Sequence, residues 1–292
     1  MTWRQFVMNL DALDSGRVEA ALSDWGALSV TFTNAGDDPV LEPAPGETPL
    51  WPDTKVTALF DVETSLDGLQ DTLQTALGIS RLPDNHIEDL ADRLWEREWL
   101  HDFAPMQFGR RLWVIPGDET PPDPSAINVR LDPGLAFGTG THPTTALCLE
   151  WLERSDIEGK SVFDFGCGSG ILSVAAAKLG ANRVLAVDID LQAVTATRQN
   201  ATRNDVSSGL TVSDTYNGFK EAFDIVVANI LAGTLIDNAE LMRDAVRPGG
   251  NIALSGILAD QVGAVSDAFR QEFDLDEPVF LEEWALLSGS RN

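Results

Sequence analysis

The chain has 292 residues, room for about two domains, and its 43% apolar content supports packed cores and excludes wholesale disorder. Its 20 Lys and Arg against 46 Asp and Glu leave a formal net charge of -26. Such a surface repels phosphate backbones, which disfavours nucleic-acid binding; it either attracts basic partners or serves solubility alone.

Met1 to Leu10 lacks the long apolar core of a signal peptide. No run of about 18 uncharged apolar residues occurs, so no membrane span is expected. Trp3–Asn9 alternates like a strand, and Asp14–Trp25 puts Val18, Ala21, Leu22 and Trp25 on one helical face. Ala27–Phe32 reads as a second strand, followed by a Pro- and Gly-rich loop from Asp37 to Pro52. Lys55–Val62 is a third strand, Leu66–Leu77 a helix and His86–Leu90 a fourth strand. That order predicts a small α+β, ferredoxin-like domain over residues 1–93.

Residues 94–125 read as a connection: a Trp-rich, charged linker helix at Leu94–Phe103, a strand at Arg111–Ile115, and an acidic, proline-rich exposed loop at Gly117–Pro124. Over residues 126–292 short apolar runs alternate with helical stretches. The strands are Val162–Phe165, Arg183–Val187, Leu210–Val212, Ile225–Ala228 and Ile252–Leu254. The helices include Leu172–Leu179, Leu191–Asn204 and Leu235–Val246, with Arg247–Gly250 as a plain turn. This is the pattern of a doubly wound, Rossmann-like α/β sheet with mostly parallel strands. Ligands of such sheets bind beyond the carboxyl ends of the strands.

The strongest motif is Val162-Phe-Asp164-Phe-Gly166-Cys-Gly168-Ser-Gly170-Ile-Leu172. An apolar strand ends in an acid, and three alternate glycines lead into a helix, so backbone can approach a ligand closely. Eighteen residues after Gly170, Asp188 closes a second strand, where a carboxylate can accept both hydroxyls of a ribose. Dinucleotide enzymes favour G-x-G-x-x-G, whose helix terminus holds a pyrophosphate. The G-x-G-x-G run here, preceded by an acid, suits S-adenosylmethionine, which has no phosphate but carries an ammonium. Asp164 either attracts that ammonium through water or backbone, or is a buried acid capping the loop.

A second motif, Asp132-Pro-Gly-Leu-Ala-Phe137-Gly138-Thr139-Gly140-Thr141-His142-Pro-Thr144-Thr145, precedes the first strand of that sheet. Pro143 suits the first turn of a helix running to Leu152, with Thr141 or His142 at its cap. The segment is either a lid over the cofactor, with Phe137, Gly138, Thr139 and Thr145 reaching it, or a capped helix start with a Gly-rich turn. In the third motif, Val226-Val-Ala-Asn229-Ile-Leu-Ala232, a buried strand delivers Asn229 at its carboxyl end. There it can orient the cofactor or an incoming amine, or close a turn. Cys148 and Cys167 form no CxxC pair, and with three histidines a zinc site is not expected; few thiols suit a reducing cytoplasm.

These motifs resemble the PrmA family, the methyltransferases of ribosomal large-subunit protein eleven. The resemblance rests on LDPGLAFGTGTHPTT at Leu131–Thr145, DFGCGSGIL at Asp164–Leu172, VDID at Val187–Asp190 and NILAG at Asn229–Gly233, with PGETPLW at Pro45–Trp51 and WEREW at Trp95–Trp99. It implies that positions matching Thr145, Gly166, Asp188 and Asn229 bind S-adenosylmethionine, leaving S-adenosylhomocysteine as product. It also implies that the N-terminal domain recognises the ribosomal protein, free before assembly in the cytoplasm, that a linker helix lets this domain swing, and that α-amino and lysine ε-amino groups are methylated. Gly168 and Asp164 join the expected cofactor site from the glycine motif itself. A small-molecule methyltransferase and a non-catalytic cofactor-binding scaffold are the alternatives.

The chemistry sets a proton problem. A lysine amine near pKa 10.4 is about one part in a thousand neutral at pH 7.4, which costs roughly 4 kcal/mol, whereas an α-amine near 8 costs under about 1 kcal/mol. Acids beside the amine would raise its pKa. Acidic residues are therefore expected to dock the substrate at a distance, with water or a backbone carbonyl as proton acceptor.

Overall fold

The computed structural model describes residues 3–36, 50–90, 104–117, 119–131, 140–216 and 222–292. The expected linker helix, most of the Asp37–Pro52 loop and the lid residues Phe137, Gly138 and Thr139 lie outside them. The chain divides into two compact units, Met1–Glu96 and Arg97–Asn292.

The first unit runs β1 (Trp3–Asn9), α1 (Ser15–Asp24), β2 (Ser29–Asn34), β3 (Thr54–Asp61), α2 (Leu69–Leu77), β4 (Asn85–Leu90). Its antiparallel sheet has the order β2-β3-β1-β4, the ferredoxin-like arrangement the sequence predicts. Alternation assigns the faces: Phe6 and Met8 of β1 and Val56, Ala58 and Phe60 of β3 turn to one side, where they pack with Val18, Leu22, Leu69 and Leu73 of the helices. Asp14 caps α1 by accepting the Arg17 N–H at 2.8 Å. α2 begins at Leu69 rather than Leu66, because Gly68 stands in the left-handed region at φ 82°, outside any helical run.

The second unit opens with a small sheet, β5 (Met106–Phe108), β6 (Leu112–Pro116) and β7 (Ile127–Leu131). The remainder is doubly wound. It runs α3 (Pro143–Arg154), β8 (Ser161–Phe165), α4 (Ile171–Lys178), β9 (Arg183–Val187), α5 (Leu191–Arg203), β10 (Leu210–Ser213) and β11 (Phe223–Asn229). Then come α6 (Ala232–Asp237), α7 (Ala239–Ala245), β12 (Val246–Leu258), α8 (Val262–Phe269), β13 (Phe273–Leu275), β14 (Val279–Leu281) and β15 (Trp284–Arg291). The strand order is β10-β9-β8-β11-β12-β15-β13, with β14 also on β15. β8 to β12 pair in parallel, and β15 runs antiparallel to β12, β13 and β14.

Both faces of this sheet are covered, which is why its central strands are largely apolar rather than alternating. Val162, Val184, Ala186, Ile225 and Val227 face one core with Leu147, Cys148, Val174, Ala175 and Ala201 of α3, α4 and α5. Phe163, Leu185, Val187, Val226 and Ala228 face the other, with Leu235, Met242, Ala245, Val265 and Phe269 of α6, α7 and α8.

Two expectations need correction. The single helix over Leu235–Val246 is two helices. At Asn238 the backbone leaves the helical run (φ -106°, ψ 14°), and the side-chain amide bonds the Thr234 carbonyl at 2.8 Å, a local competitor for helix hydrogen bonding. Arg247–Gly250 is not a turn between elements but part of β12. Gly249 is left-handed at φ 70°, and the pairing with β11 jumps from Phe223↔Val246 to Ile225↔Asn251, so the strand absorbs the extra residues as a bulge. No described helix is long and apolar enough to cross a membrane.

Candidate functional site

The carboxyl ends of β8, β9 and β11 converge because these strands are parallel and adjacent. The glycine motif leaves β8 as a tight loop: Gly166, Gly168 and Gly170 are all left-handed, at φ 78°, 54° and 78°, a backbone that side-chain-bearing residues adopt at a cost. The loop is tied to the next strand by the Gly166 and Cys167 N–H groups, which donate to the Val187 carbonyl at 2.8 and 3.0 Å. Gly170 then opens α4.

Asp188 follows β9 directly and is half-buried. Its Oδ2 accepts the Gly168 N–H at 2.9 Å and its Oδ1 the Asp190 N–H at 3.0 Å. One carboxylate therefore fixes the glycine loop to the second strand, and these two contacts leave it further lone pairs for a ligand.

Asp164 lies one residue before the end of β8 and is fully buried. The Ser173 hydroxyl of α4 donates to its Oδ2 at 2.6 Å, while Oδ1 is buried with no hydrogen-bond partner. Burial pushes this carboxyl up to about 7, against the lowering effect of Ser173 and with a smaller upward push from Asp188. An unpaired acceptor in such a place has a free energy cost, which a cation reaching it directly or through water would offset.

Asn229 ends β11, and its side-chain amide donates to the Thr145 Oγ1 of α3 at 3.3 Å. Thr145 is wholly buried. α3 is set by its start: His142 is the N-cap, its ring nitrogen accepting the Thr144 N–H at 3.3 Å and lying 2.7 Å from the Thr144 hydroxyl, with Pro143 in the first turn. Burial lowers the His142 pKa, partly opposed by Glu283 and Glu282. The structure therefore brings Asp164, Gly166, Gly168 and Asp188 into one loop-and-strand cluster and joins Asn229 to Thr145.

Three supports had no reading in the sequence. Thr197 of α5 donates to the Gly168 carbonyl at 3.0 Å, and Asn200 to the Ser169 carbonyl at 2.8 Å. Their signal was two polar residues on the buried face of an amphipathic helix. The third is Ile230, the residue after Asn229. A Cβ on Gly166 would overlap its Cγ2, and a Cβ on Gly256, left-handed at φ 81°, would meet its backbone C and N at 2.8 and 3.0 Å. The Ile230 N–H donates to the Ser255 carbonyl at 3.1 Å. Ile230 thus threads between two glycines, one in the loop after β8 and one in β12, and this fixes where Asn229 points.

The family model described as ribosomal protein L11 methyltransferase (PrmA) matches residues 2–292. Proteins named ribosomal protein L11 methyltransferase from Shewanella sp. (strain ANA-3) and Shewanella baltica (strain OS155 / ATCC BAA-1091) are each 48% identical over 294 residues, covering 100% of this chain and 100% of theirs. A solved structure, the ribosomal protein L11 methylase of Lactobacillus delbrueckii subsp. bulgaricus, is similar at a TM-score of 0.60 and 34% identity, covering 65% of this chain and 100% of that one.

Proposed function

Since the chain belongs to the ribosomal protein L11 methyltransferase (PrmA) family, we propose that it moves methyl groups from S-adenosylmethionine to the α-amino and lysine ε-amino groups of ribosomal protein L11. It is a methyltransferase with S-adenosylmethionine as its methyl donor. The observation that carries the reading is the strand-end cluster, in which Asp188 holds the Gly168 N–H at 2.9 Å beside a left-handed glycine loop and an unpaired buried acceptor on Asp164.

These residues suit the donor's chemistry. Asp188 offers lone pairs to ribose hydroxyls, Gly166 and Gly168 leave room for close backbone approach, and Asp164 offers its free oxygen to a cation behind the loop. Thr145 and Asn229 would complete the cradle, with Phe137, Gly138 and Thr139 as its lid. When bound, S-adenosylmethionine supplies an electrophilic methyl group on a sulfonium.

The chain's own work is positioning. Asn229 carries donors and acceptors that hold an amine in line, and the Thr145 contact fixes its rotamer. Water or a backbone carbonyl takes the amine's proton in this reading. Residues 1–93 recognise the ribosomal protein, residues 94–125 connect, and residues 126–292 carry the chemistry. The substrate is free L11, met in the cytoplasm before assembly, with no nucleic acid or membrane partner. The -26 charge supports a basic protein acceptor over a phosphate backbone.

Intact-mass analysis of purified L11 after incubation with the chain and S-adenosylmethionine tests this. Added masses of whole methyl groups are expected. An unchanged mass, with S-adenosylhomocysteine binding intact by calorimetry, would return the chain to methylation of small molecules.

A further inference from the structure

β14 is a short, exposed edge strand of the larger sheet. Val279, Phe280 and Leu281 are 49%, 51% and 41% exposed, whereas their partners on β15, Leu286, Ala285 and Trp284, are buried. Among the described residues β14 pairs with β15 alone, so its outer edge presents backbone donors and acceptors beside apolar side chains. An edge of this kind is a template for one more strand.

Its place in the sheet is informative. Leu281 pairs with Trp284, and Trp284 pairs with Leu258 at the carboxyl end of β12. This is the end of the sheet where Asn229 emerges. The Trp284 ring meets the His142 ring edge-on, with centroids 4.9 Å apart. His142 caps α3, and the first turn of that helix carries Thr145, which bonds Asn229.

Charge says what the edge would receive. Glu277 stands before the strand and Glu282 and Glu283 after it, all exposed and with no ion pair among the described residues. A second copy of this chain is a poor occupant. Antiparallel pairing of two β14 edges would set the Glu277 end of each against the Glu282–Glu283 end of the other, and like charges facing across a strand pair are destabilising. A segment with apolar residues flanked by cations fits both features.

We propose that the outer edge of β14 binds an extended, lysine-bearing segment of the acceptor protein as an added strand, with its apolar side chains against Val279, Phe280 and Leu281 and its cations against Glu277, Glu282 and Glu283. This rests on the functional reading above and adds to it the surface that presents the amine. The arrangement meets the proton requirement of the reaction. The carboxylates lie at the ends of β14 and the Asn229 amide bonds Thr145, so the acids pair with protonated lysines of the segment rather than with the reacting amine, whose pKa a neighbouring carboxylate would raise.

The test uses the full chain with purified L11, comparing Phe280→Ser and the double substitution Glu282→Lys/Glu283→Lys with the unsubstituted chain. All three positions are exposed, so both variants should fold. Each should raise KM for L11 about tenfold, the effect of losing one good anchor, with kcat at saturating L11 and S-adenosylhomocysteine affinity unchanged. Added salt should shrink the effect of the charge reversal and leave that of Phe280→Ser. Unmoved KM values in both variants overturn the proposal. So does a self-associating native chain that Phe280→Ser converts to monomer without altering KM. If the unsubstituted chain binds S-adenosylhomocysteine yet leaves L11 unmodified, the functional reading falls first and this proposal with it.

Discussion

Replacing Gly166 by alanine would put a methyl group where two constraints oppose it. At φ 78° the backbone is left-handed, which costs an L-residue about 1–2 kcal/mol. The new Cβ would also overlap the Ile230 Cγ2, and forcing a methyl group into packed surroundings costs about 1–3 kcal/mol. Gly166→Ala is therefore expected to lose about 2–5 kcal/mol of stability. Ile230→Ala deletes the opposing methyl group and should relieve the steric cost while leaving the backbone cost. The double variant should then be more stable than the sum of the single effects by about 1–3 kcal/mol. Binding should follow the same cycle. The Gly166 N–H is tied to Val187 at 2.8 Å and the Gly168 N–H to Asp188 at 2.9 Å, so a displaced loop pulls the carboxylate out of register. A loss of about tenfold in S-adenosylhomocysteine affinity, equivalent to about 1.4 kcal/mol, is expected for Gly166→Ala, with most of it regained in the double variant. Urea unfolding and calorimetric titration of the four proteins supply both cycles. Additivity within about 0.5 kcal/mol would refute the idea that the Ile230 side chain is the wall behind the loop.

Gly256→Ala should behave differently, because its Cβ would meet Ile230 backbone rather than side chain; Ile230→Ala should fail to rescue it, and rescue in the same unfolding cycle would contradict the threading of Ile230. Asn229→Ala removes the bond to Thr145 and the amide that orients the amine, so kcat for L11 should fall on the order of 100-fold; turnover and cofactor affinity both intact would end its assigned role. Asp164 gives a pH signature. Its folded-state pKa of about 7 lies above the ordinary 3.8, so the folded chain binds this proton more tightly and loses stability as pH rises between those values. Asp164→Asn should remove that slope and gain stability relative to the native chain between pH 5 and pH 8, as urea midpoints would show; parallel slopes would refute it.

Much of the architecture was legible because it depends on near neighbours. Val162–Phe165 and Arg183–Val187 read as strands because apolar residues stand on both faces, as a doubly covered sheet requires, with Asp164 and Arg183 as their polar exceptions. The βαββαβ order of the first unit followed from alternation at Trp3–Asn9 and Lys55–Val62 and from helical spacing at Val18, Ala21 and Leu22. The glycines and Asp188 stood out because a tight loop after a strand needs those residue types locally. The strands of the last third were another matter. Val279–Leu281 and Trp284–Arg291 carry no crossover helix between them, and nothing in their composition says that β15 inserts antiparallel between β12 and β13.

The sequence alone thus determined the element types, the doubly wound class and the residue kinds at the strand ends, since periodicity and turn chemistry act over a few residues. Only the tertiary structure decided that Asn229 meets Thr145, 84 positions away, that Asp164 keeps one oxygen unpaired, and that Ile230 threads between Gly166 and Gly256. Those facts come from packing between segments remote in the chain, where close-packed volume and backbone path, rather than local preference, select which atoms touch.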